Sequence, residues 1–156
     1  MFRKMRRFKQ QLSSQDCVAI LQNEPRGILA VNGDDGYPYT VPLDYVYADG
    51  KIYFHCAVEG HKIDAIQRSD KVSFCVLDKG SRPDGEWAYY FNSVVVFGRI
   101  RIVTDEQLRT ESLRLLGTKY FPTAQMVEDD IRKNAARALV LELTVEHMTG
   151  KHVHER

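Results

Sequence analysis

Apolar and polar residues alternate along several short stretches of the chain, and this period of two is typical of strands with one buried face. The alternation is most regular at 51–57, where one face carries Ile52, Phe54 and Cys56. The same pattern predicts strands at 27–31, around Pro38 and Pro42, at 71–77, at 89–98 and at 137–146. Before the regular strand, Asp49-Gly50 predicts a tight hairpin turn, because glycine readily takes a positive φ.

Four other stretches show helical spacing or helix-capping residues instead. Ser13 or Ser14 can cap a first helix, and His61 opens a short second one. Longer helices are predicted at 104–116 and 123–136. Because strands dominate and no strand–helix–strand series occurs, we expect a mainly β protein. The expected architecture is a closed or nearly closed antiparallel barrel with peripheral helices, since closure removes exposed strand edges.

Proline and glycine refine this picture. Pro38 and Pro42 lack a backbone N–H, so their strand is expected to be an edge strand or to contain a bulge. Gly98 marks an expected bend in the long strand. The chain length of 156 residues predicts one domain over residues 1–156, with a basic, flexible N-terminal arm at 1–10 and a C-terminal tail at 148–156.

The clearest candidate for chemistry follows the 51–57 strand. Gly60 precedes a helix that opens with His61 and Lys62. A helix N-terminus presents unpaired N–H groups and a positive dipole end, and Lys62 adds a full positive charge there. The combination suits an anion, most naturally a phosphate group.

Three runs in this region resemble a known family. They are VPL at 41–43, YADGKIYFHCA at 47–57 and EGHKIDAI at 59–66. They are similar to the FMN-binding split-barrel proteins related to pyridoxamine 5'-phosphate oxidase, and within them to the branch of the nitroimidazole-resistance proteins. The resemblance implies an antiparallel split β-barrel that pairs into a homodimer, with FMN in the groove between the subunits. FAD, haem and a deazaflavin are the alternative cofactors.

The resemblance also implies which residues hold the cofactor. Backbone groups of Val41, Pro42 and Leu43 would hold the flavin ring, and Lys62 with His61 would bind its phosphate. Further cofactor contacts are expected from a second group of residues, which comprises His55, Cys56, Ala57, Ser93 and Lys151. Ser93 would approach the partner subunit's cofactor, and Lys151 would close over the flavin.

His55 and Cys56 each have more than one interpretation. His55 is the only histidine inside a predicted strand. It either binds the phosphate, acts as a catalytic group near the substrate, or is a structural histidine with a hydrogen-bonded ring. Cys56 points towards the core, so packing competes with cofactor contact as its role. His152 and His154 form an H-x-H pair in the expected tail, which lacks the third ligand and the rigid frame that a metal site needs.

Composition sets limits on the remaining classes. The chain has 22 basic and 21 acidic residues, a net charge of +1, so neither nucleic acid nor a membrane surface is an expected partner. Its three cysteines lack a C-x-x-C spacing, which favours a reducing, cytoplasmic location. No G-x-G-x-x-G motif is present, so reduced nicotinamide would visit only as a substrate.

The sequence therefore predicts an FMN-dependent oxidoreductase that reduces a small organic substrate. The name of the branch suggests a nitroaromatic or nitroimidazole substrate, and an ordinary metabolic reduction is the competing choice. The alternative function is a flavin-, haem- or deazaflavin-binding module without turnover, which would serve as a carrier or sensor.

Overall fold

The computed structural model describes residues 1–154, and its centre is one antiparallel sheet of seven strands. The strands are β1 (Arg26–Asn32), β2 (Pro38–Asp44), β3 (Val46–Ala48), β4 (Lys51–Ala57), β5 (Lys71–Leu77), β6 (Tyr90–Ile102) and β7 (Ala138–His154). The helices are α1 (Ser14–Asn23), α2 (His61–Arg68), α3 (Glu106–Tyr120) and α4 (Ala124–Asn134). No helix within residues 1–154 is long and apolar enough to cross a lipid bilayer.

The sheet curls into a split barrel, as the sequence predicts. Its strand order is β2-β1-β5-β6-β7-β4-β3, so β2 and β3 lie at the two ends of the order. Only Tyr45 separates these two strands along the chain, which brings the two ends of the sheet together. β2 and β4 contact each other there, but no strand pairing joins them within residues 1–154. We call this junction the split.

The barrel interior holds the main hydrophobic core. Alternate residues of the strands point inward, and the largest fully buried side chains among them are Tyr45, Phe54 and Phe74. The rings of Phe54 and Tyr45 both meet Phe74 edge to face, with centroids 5.1 Å and 4.9 Å away. Such aromatic contacts add to the stabilisation from buried area.

The four helices cover three sides of the barrel. α1 buries Cys17 against the core beside Gly150, and α2 buries Ile63 and Ile66 beyond the end of β1. α3 and α4 pack against each other, and α3 also contacts β3, β4 and β7. A second, smaller core lies beneath α3 on the outer face of the sheet; its buried members are Tyr53, Val103, Leu116 and Val140.

Several local predictions are confirmed in the structure. Asp49 and Gly50 both take positive φ, 47° and 78°, in the hairpin between β3 and β4. Pro42 lies in β2, which pairs only with β1 and is therefore an edge strand. A register shift between Phe97 and Gly98 bends β6 where the glycine predicted a bend. Ser13 caps α1 by accepting a hydrogen bond from Asp16 N.

Three predictions need correction. α3 is capped by Asp105, whose carboxylate accepts from Leu108 N at 2.7 Å, and not by Thr104. β7 continues to His154, where the sequence predicted a tail from residue 148. The strand extends because β6 offers a pairing partner as far as Tyr90, which lies opposite His154. His55 is therefore not the only histidine in a strand.

Residues 1–10, predicted as a basic arm, contact the sheet in the structure. Phe2 stacks on His147 and Phe97, with ring centroids 4.6 Å and 5.6 Å away. Further along, Gln10 Nε2 lies 3.1 Å from His154 Nε2. Phe2 thus meets the outer face of β6 and β7, whereas His154 lies on the face that also carries Gly150.

Candidate functional site

The predicted phosphate site lies next to the split. His61, the first residue of α2, stacks its ring on Tyr39 of β2, with centroids 4.1 Å apart. His61 Nε2 also lies 3.5 Å from the carboxylate of Asp34, which accepts a 2.7 Å hydrogen bond from Arg68. The two ends of α2 are thus tied to the β1–β2 connection and to the edge strand. This arrangement fixes the start of α2 against β2.

The start of α2 lacks the side-chain cap that the other three α-helices have. Ser13, Asp105 and Thr123 each accept a backbone N–H at the start of α1, α3 and α4. The N-cap of α2 is Gly60, which has no side chain and offers no such bond. The N–H groups of Ile63 and Asp64 donate to Gly60 O, so the N–H groups of His61 and Lys62 are the ones that can serve an external acceptor.

The backbone at this point requires glycine. Gly60 has φ 132° and ψ 170°, a conformation that is essentially confined to glycine. A Cβ built on Gly60 would meet no atom within 4 Å, so the space beside the helix start is open. The requirement for glycine is thus a matter of backbone conformation, and the open space leaves room for a ligand.

Lys62 and Cys56 act on each other across this site. Burial raises the pKa of the Cys56 thiol above its ordinary value, and the positive charge of Lys62 lowers it by a smaller amount. The net rise keeps the thiol protonated near neutral pH. The effect also shows that the Lys62 ammonium lies close enough to Cys56 for their charges to interact.

The three residues predicted to hold the flavin ring lie on the edge strand. Val41 and Leu43 are half-buried and pack against the barrel core, whereas Pro42 is exposed on the outer face. One side of β2 pairs with β1, and the other side faces the split. Backbone N–H and C=O groups on that side are free for a planar ligand that pairs as a strand would.

His55 is not brought together with Lys62. Adjacent strand residues point to opposite faces, so His55 faces away from the core contact made by Cys56. The His55 side chain is exposed and lines a cavity formed with α3 and α4. Ala57, the next residue on the same face, is also exposed.

Ser93 and Lys151 are placed together, but far from β2. They are opposite each other in the pairing of β6 with β7, and both are half-buried. β1 and β5 separate β6 from β2 in the sheet order. Three strand spacings of about 4.8 Å place β6 roughly 14 Å from β2 along the sheet. One chain therefore presents two separate groups of predicted site residues.

Two features of the structure were not predicted from the sequence. Tyr39 lies on the same face of β2 as Val41 and Leu43, so strand alternation was the signal that could have found it. Glu142 is only 1% exposed and accepts hydrogen bonds from Arg101, Lys51 and the Tyr53 hydroxyl. Its partners come from the two neighbouring strands, β4 and β6, so no local sequence pattern predicts these contacts.

Solved structures with the same fold come from several bacteria. A Bacteroides thetaiotaomicron protein proposed to confer 5-nitroimidazole antibiotic resistance superposes with a TM-score of 0.77 at 20% identity, over 92% of this chain and 87% of that chain. A FAD-binding protein from Mesorhizobium loti gives 0.68 at 26% identity, over 92% and 97%. A FAD and haem binding protein from Mycobacterium smegmatis gives 0.74 at 18%, over 92% and 73%.

Sequence comparison gives the family directly. No curated protein matches the sequence significantly. The model of the pyridoxamine 5'-phosphate oxidase family, however, matches residues 13–152, which is most of the 156-residue chain. The matched range contains the split, α2, Ser93 and Lys151. The chain therefore belongs to the pyridoxamine 5'-phosphate oxidase family.

Proposed function

We propose that this protein is a flavin-dependent oxidoreductase that binds FMN at the split and reduces a small organic substrate. The observation that carries the proposal is the uncapped start of α2, with Lys62 beside it and the His61–Tyr39 stack holding it against β2. Family membership and the similarity to the Mesorhizobium loti FAD-binding protein support a flavin as the ligand.

The phosphate of FMN fits the charges at this end of the split. A phosphomonoester carries about −1.5 to −2 charges near neutral pH. The Lys62 side chain supplies one positive charge, and the backbone N–H groups of His61 and Lys62 present the positive end of the helix dipole. Cys56 remains a neutral thiol, so it adds no negative charge beside the phosphate.

The flavin ring fits the free side of β2. Ring nitrogen and carbonyl groups can pair with the backbone groups of Val41, Pro42 and Leu43 that no neighbouring strand uses. When bound, FMN would supply the electron-transfer chemistry, and the protein supplies binding, orientation and exclusion of water. The half-buried side chains of Val41 and Leu43 would exclude water from one edge of the ring.

We further propose that two copies pair through the outer face of β1, β5 and β6. One row across this face follows the strand register, and it consists of Pro42, Ile28, Cys75 and Val95. Ile28, Leu77 and Phe97 on the same face are 40%, 51% and 40% exposed. Apolar patches of this kind mark interaction surfaces. Ser93 and Lys151 lie on this face, where they would approach the partner subunit's cofactor.

The substrate is proposed as a small organic electron acceptor, with a nitroaromatic compound as the first choice. The support is the similarity to the Bacteroides thetaiotaomicron protein, which covers 92% of this chain. Reduced nicotinamide would be the electron donor and would visit as a substrate. The free cysteines Cys17, Cys56 and Cys75 fit a reducing compartment, as a cytoplasmic location requires.

A flavin-binding module without turnover is the second candidate. It is favoured by the position of His55, the one predicted catalytic residue, whose side chain points to the face of β4 opposite Cys56. The Mycobacterium smegmatis protein, which binds both FAD and haem, shows that the same fold serves such cofactors.

One experiment separates the two functions. The protein is purified, its absorption spectrum is recorded, and the released cofactor is identified by chromatography. Reduced nicotinamide is then added without oxygen, followed by a nitroaromatic compound. The oxidoreductase proposal predicts an FMN spectrum that bleaches with the donor and returns with the acceptor. A bound flavin that neither reagent changes would instead support the module, and a colourless protein that takes up no added FMN would refute both.

A further inference from the structure

A cavity of about 430 Å³ lies between the α3–α4 hairpin and the outer face of β4. This volume is within the roughly 300–1,000 Å³ that is common for small-molecule sites. The cavity is on the opposite face of β4 from Cys56, so β4 separates it from Cys56 and Lys62, and Asp44 with His55 places it on the outer side of the split. Nothing in the proposed flavin function uses it.

The cavity walls are mostly apolar, and several of the lining residues are buried. Leu116 and Val127 line it and are 4% and 3% exposed, which anchors the wall in the packed layer under α3 and α4. Gly117 holds the two helices close, because a Cβ there would lie 2.6 Å from Val127 Cγ1. Leu113 and Ile131 complete the apolar surface. A hydrophobic body of moderate size can therefore fill the space.

The polar groups of the cavity carry a negative charge that lacks a counter-ion. Asp44 and Asp130 both line it. Asp44 is paired with Arg26 at 2.7 Å, but Asp130 accepts only a hydrogen bond from Asn134 and forms no ion pair within residues 1–154. The exposed ring of His55 faces the same space. An unpaired carboxylate at an apolar wall attracts a cation more strongly than one in bulk water does.

We propose that this cavity binds a small organic cation, namely an ammonium group attached to an aromatic or aliphatic body. The body packs between Leu116, Val127 and Ile131, and the ammonium pairs with Asp130. An organic anion is disfavoured, since it would have to approach both carboxylates. The proposal does not depend on flavin binding, because the ammonium pairs with Asp130, a residue that has no part in the proposed cofactor site.

The test uses the purified protein and three probes of equal size: naphthylmethylamine, naphthylmethanol and naphthoate. Binding is measured by calorimetry and mapped by amide chemical-shift changes. The amine is expected to bind about tenfold more tightly than the alcohol, as one charge-assisted bond predicts. The naphthoate is expected to bind weakest. Shifts should centre on His55, Leu116 and Ala138.

Two variants assign the charge effect to its residue. Asp130→Asn keeps an acceptor for Asn134 and should weaken amine binding about tenfold, with alcohol binding unchanged. Asp129→Asn is the matched control: its neighbouring carboxylate pairs with Arg132, does not line the cavity, and should leave both affinities unchanged. Equal amine binding by wild type and Asp130→Asn would overturn the proposal. So would tighter binding of naphthoate, no amine binding, or shifts centred on Lys62.

Discussion

The ring of His61 stacks on the ring of Tyr39, with centroids 4.1 Å apart, and this contact joins the start of α2 to the edge strand β2. The two residues are distant in sequence, so the contact exists only once the barrel has closed. It brings the predicted phosphate site and the predicted ring site together at the split.

The conformation of Gly60 predicts a strong effect of a single methyl group. Gly60→Ala places a Cβ on a backbone with φ 132°, and such strain costs about 1–3 kcal/mol. The free energy of unfolding, measured with urea, should fall by that amount. Glu59→Ala, at the exposed neighbouring residue, should change it by less than about 0.5 kcal/mol. Equal effects of both substitutions would contradict the account of the backbone.

Much of this region could be predicted from the sequence because its signals are local. Asp49-Gly50 fixes a hairpin, and Gly60 followed by a change of period fixes the start of α2. The stack on Tyr39 could not be predicted, since it depends on how β2 is aligned with β1 and on barrel closure. The opposite orientation of His55 and Cys56 could be predicted, because alternation alone places them on the two faces of β4.

The last residues of β7 were harder to predict from the sequence. His152 and His154 are polar residues in a short terminal stretch, so they indicated a tail rather than a strand. The structure pairs them with Asn92 and Tyr90 of β6, and His152 Nδ1 lies 2.8 Å from Asn92 Oδ1. A long partner strand can thus order a terminal segment whose own sequence shows no strong preference.

Glu142 predicts a pH dependence of stability. Burial raises the pKa of its carboxyl group, but hydrogen bonds from Arg101, Lys51 and Tyr53 outweigh burial and leave the pKa below the ordinary value of 4.5. A carboxylate with a lowered folded-state pKa stabilises the protein fully above its unfolded-state pKa. That stabilisation is lost as the pH falls through the folded-state value.

Glu142→Gln should therefore lower the free energy of unfolding by about 1–3 kcal/mol near pH 7, as expected for hydrogen bonds to a charged group. The difference from wild type should shrink as the pH falls below the ordinary carboxyl pKa of 4.5 and through the lowered folded-state pKa of Glu142. Glu146→Gln is the control on the same strand, because Glu146 forms a half-exposed pair with Arg99 worth about 0–1 kcal/mol. A pH-independent loss for Glu142→Gln would contradict this account.

The two faces of β4 predict opposite effects for adjacent residues. His55→Gln should change the FMN dissociation constant by less than about twofold, since the His55 side chain points to the face of β4 opposite Cys56. Cys56→Leu adds bulk beside Lys62 at a half-buried position and should weaken FMN binding about tenfold. Fluorescence titration of FMN measures both constants. A larger loss for His55→Gln than for Cys56→Leu would reverse the assignment of the faces.

The proposed subunit interface predicts that one charge at its centre prevents pairing. Ile28→Lys places an ammonium in the apolar row of the outer sheet face, and burying it unpaired is unfavourable. Sedimentation should give twice the 18.0 kDa chain mass for wild type and the single mass for Ile28→Lys. Gln22→Lys, on the exposed side of α1, should remain a dimer. A wild-type monomer that binds FMN tightly would refute the shared site.

The most direct test of the central claim compares FMN with riboflavin, which lacks the phosphate. Lys62→Ala should raise the FMN dissociation constant by about ten- to a hundredfold, as loss of a charge-assisted hydrogen bond predicts, and leave riboflavin binding unchanged. Lys79→Ala, in the exposed loop before β6, should affect neither ligand. Equal losses of both ligands in Lys62→Ala, or unchanged FMN binding, would show that the start of α2 does not bind the phosphate.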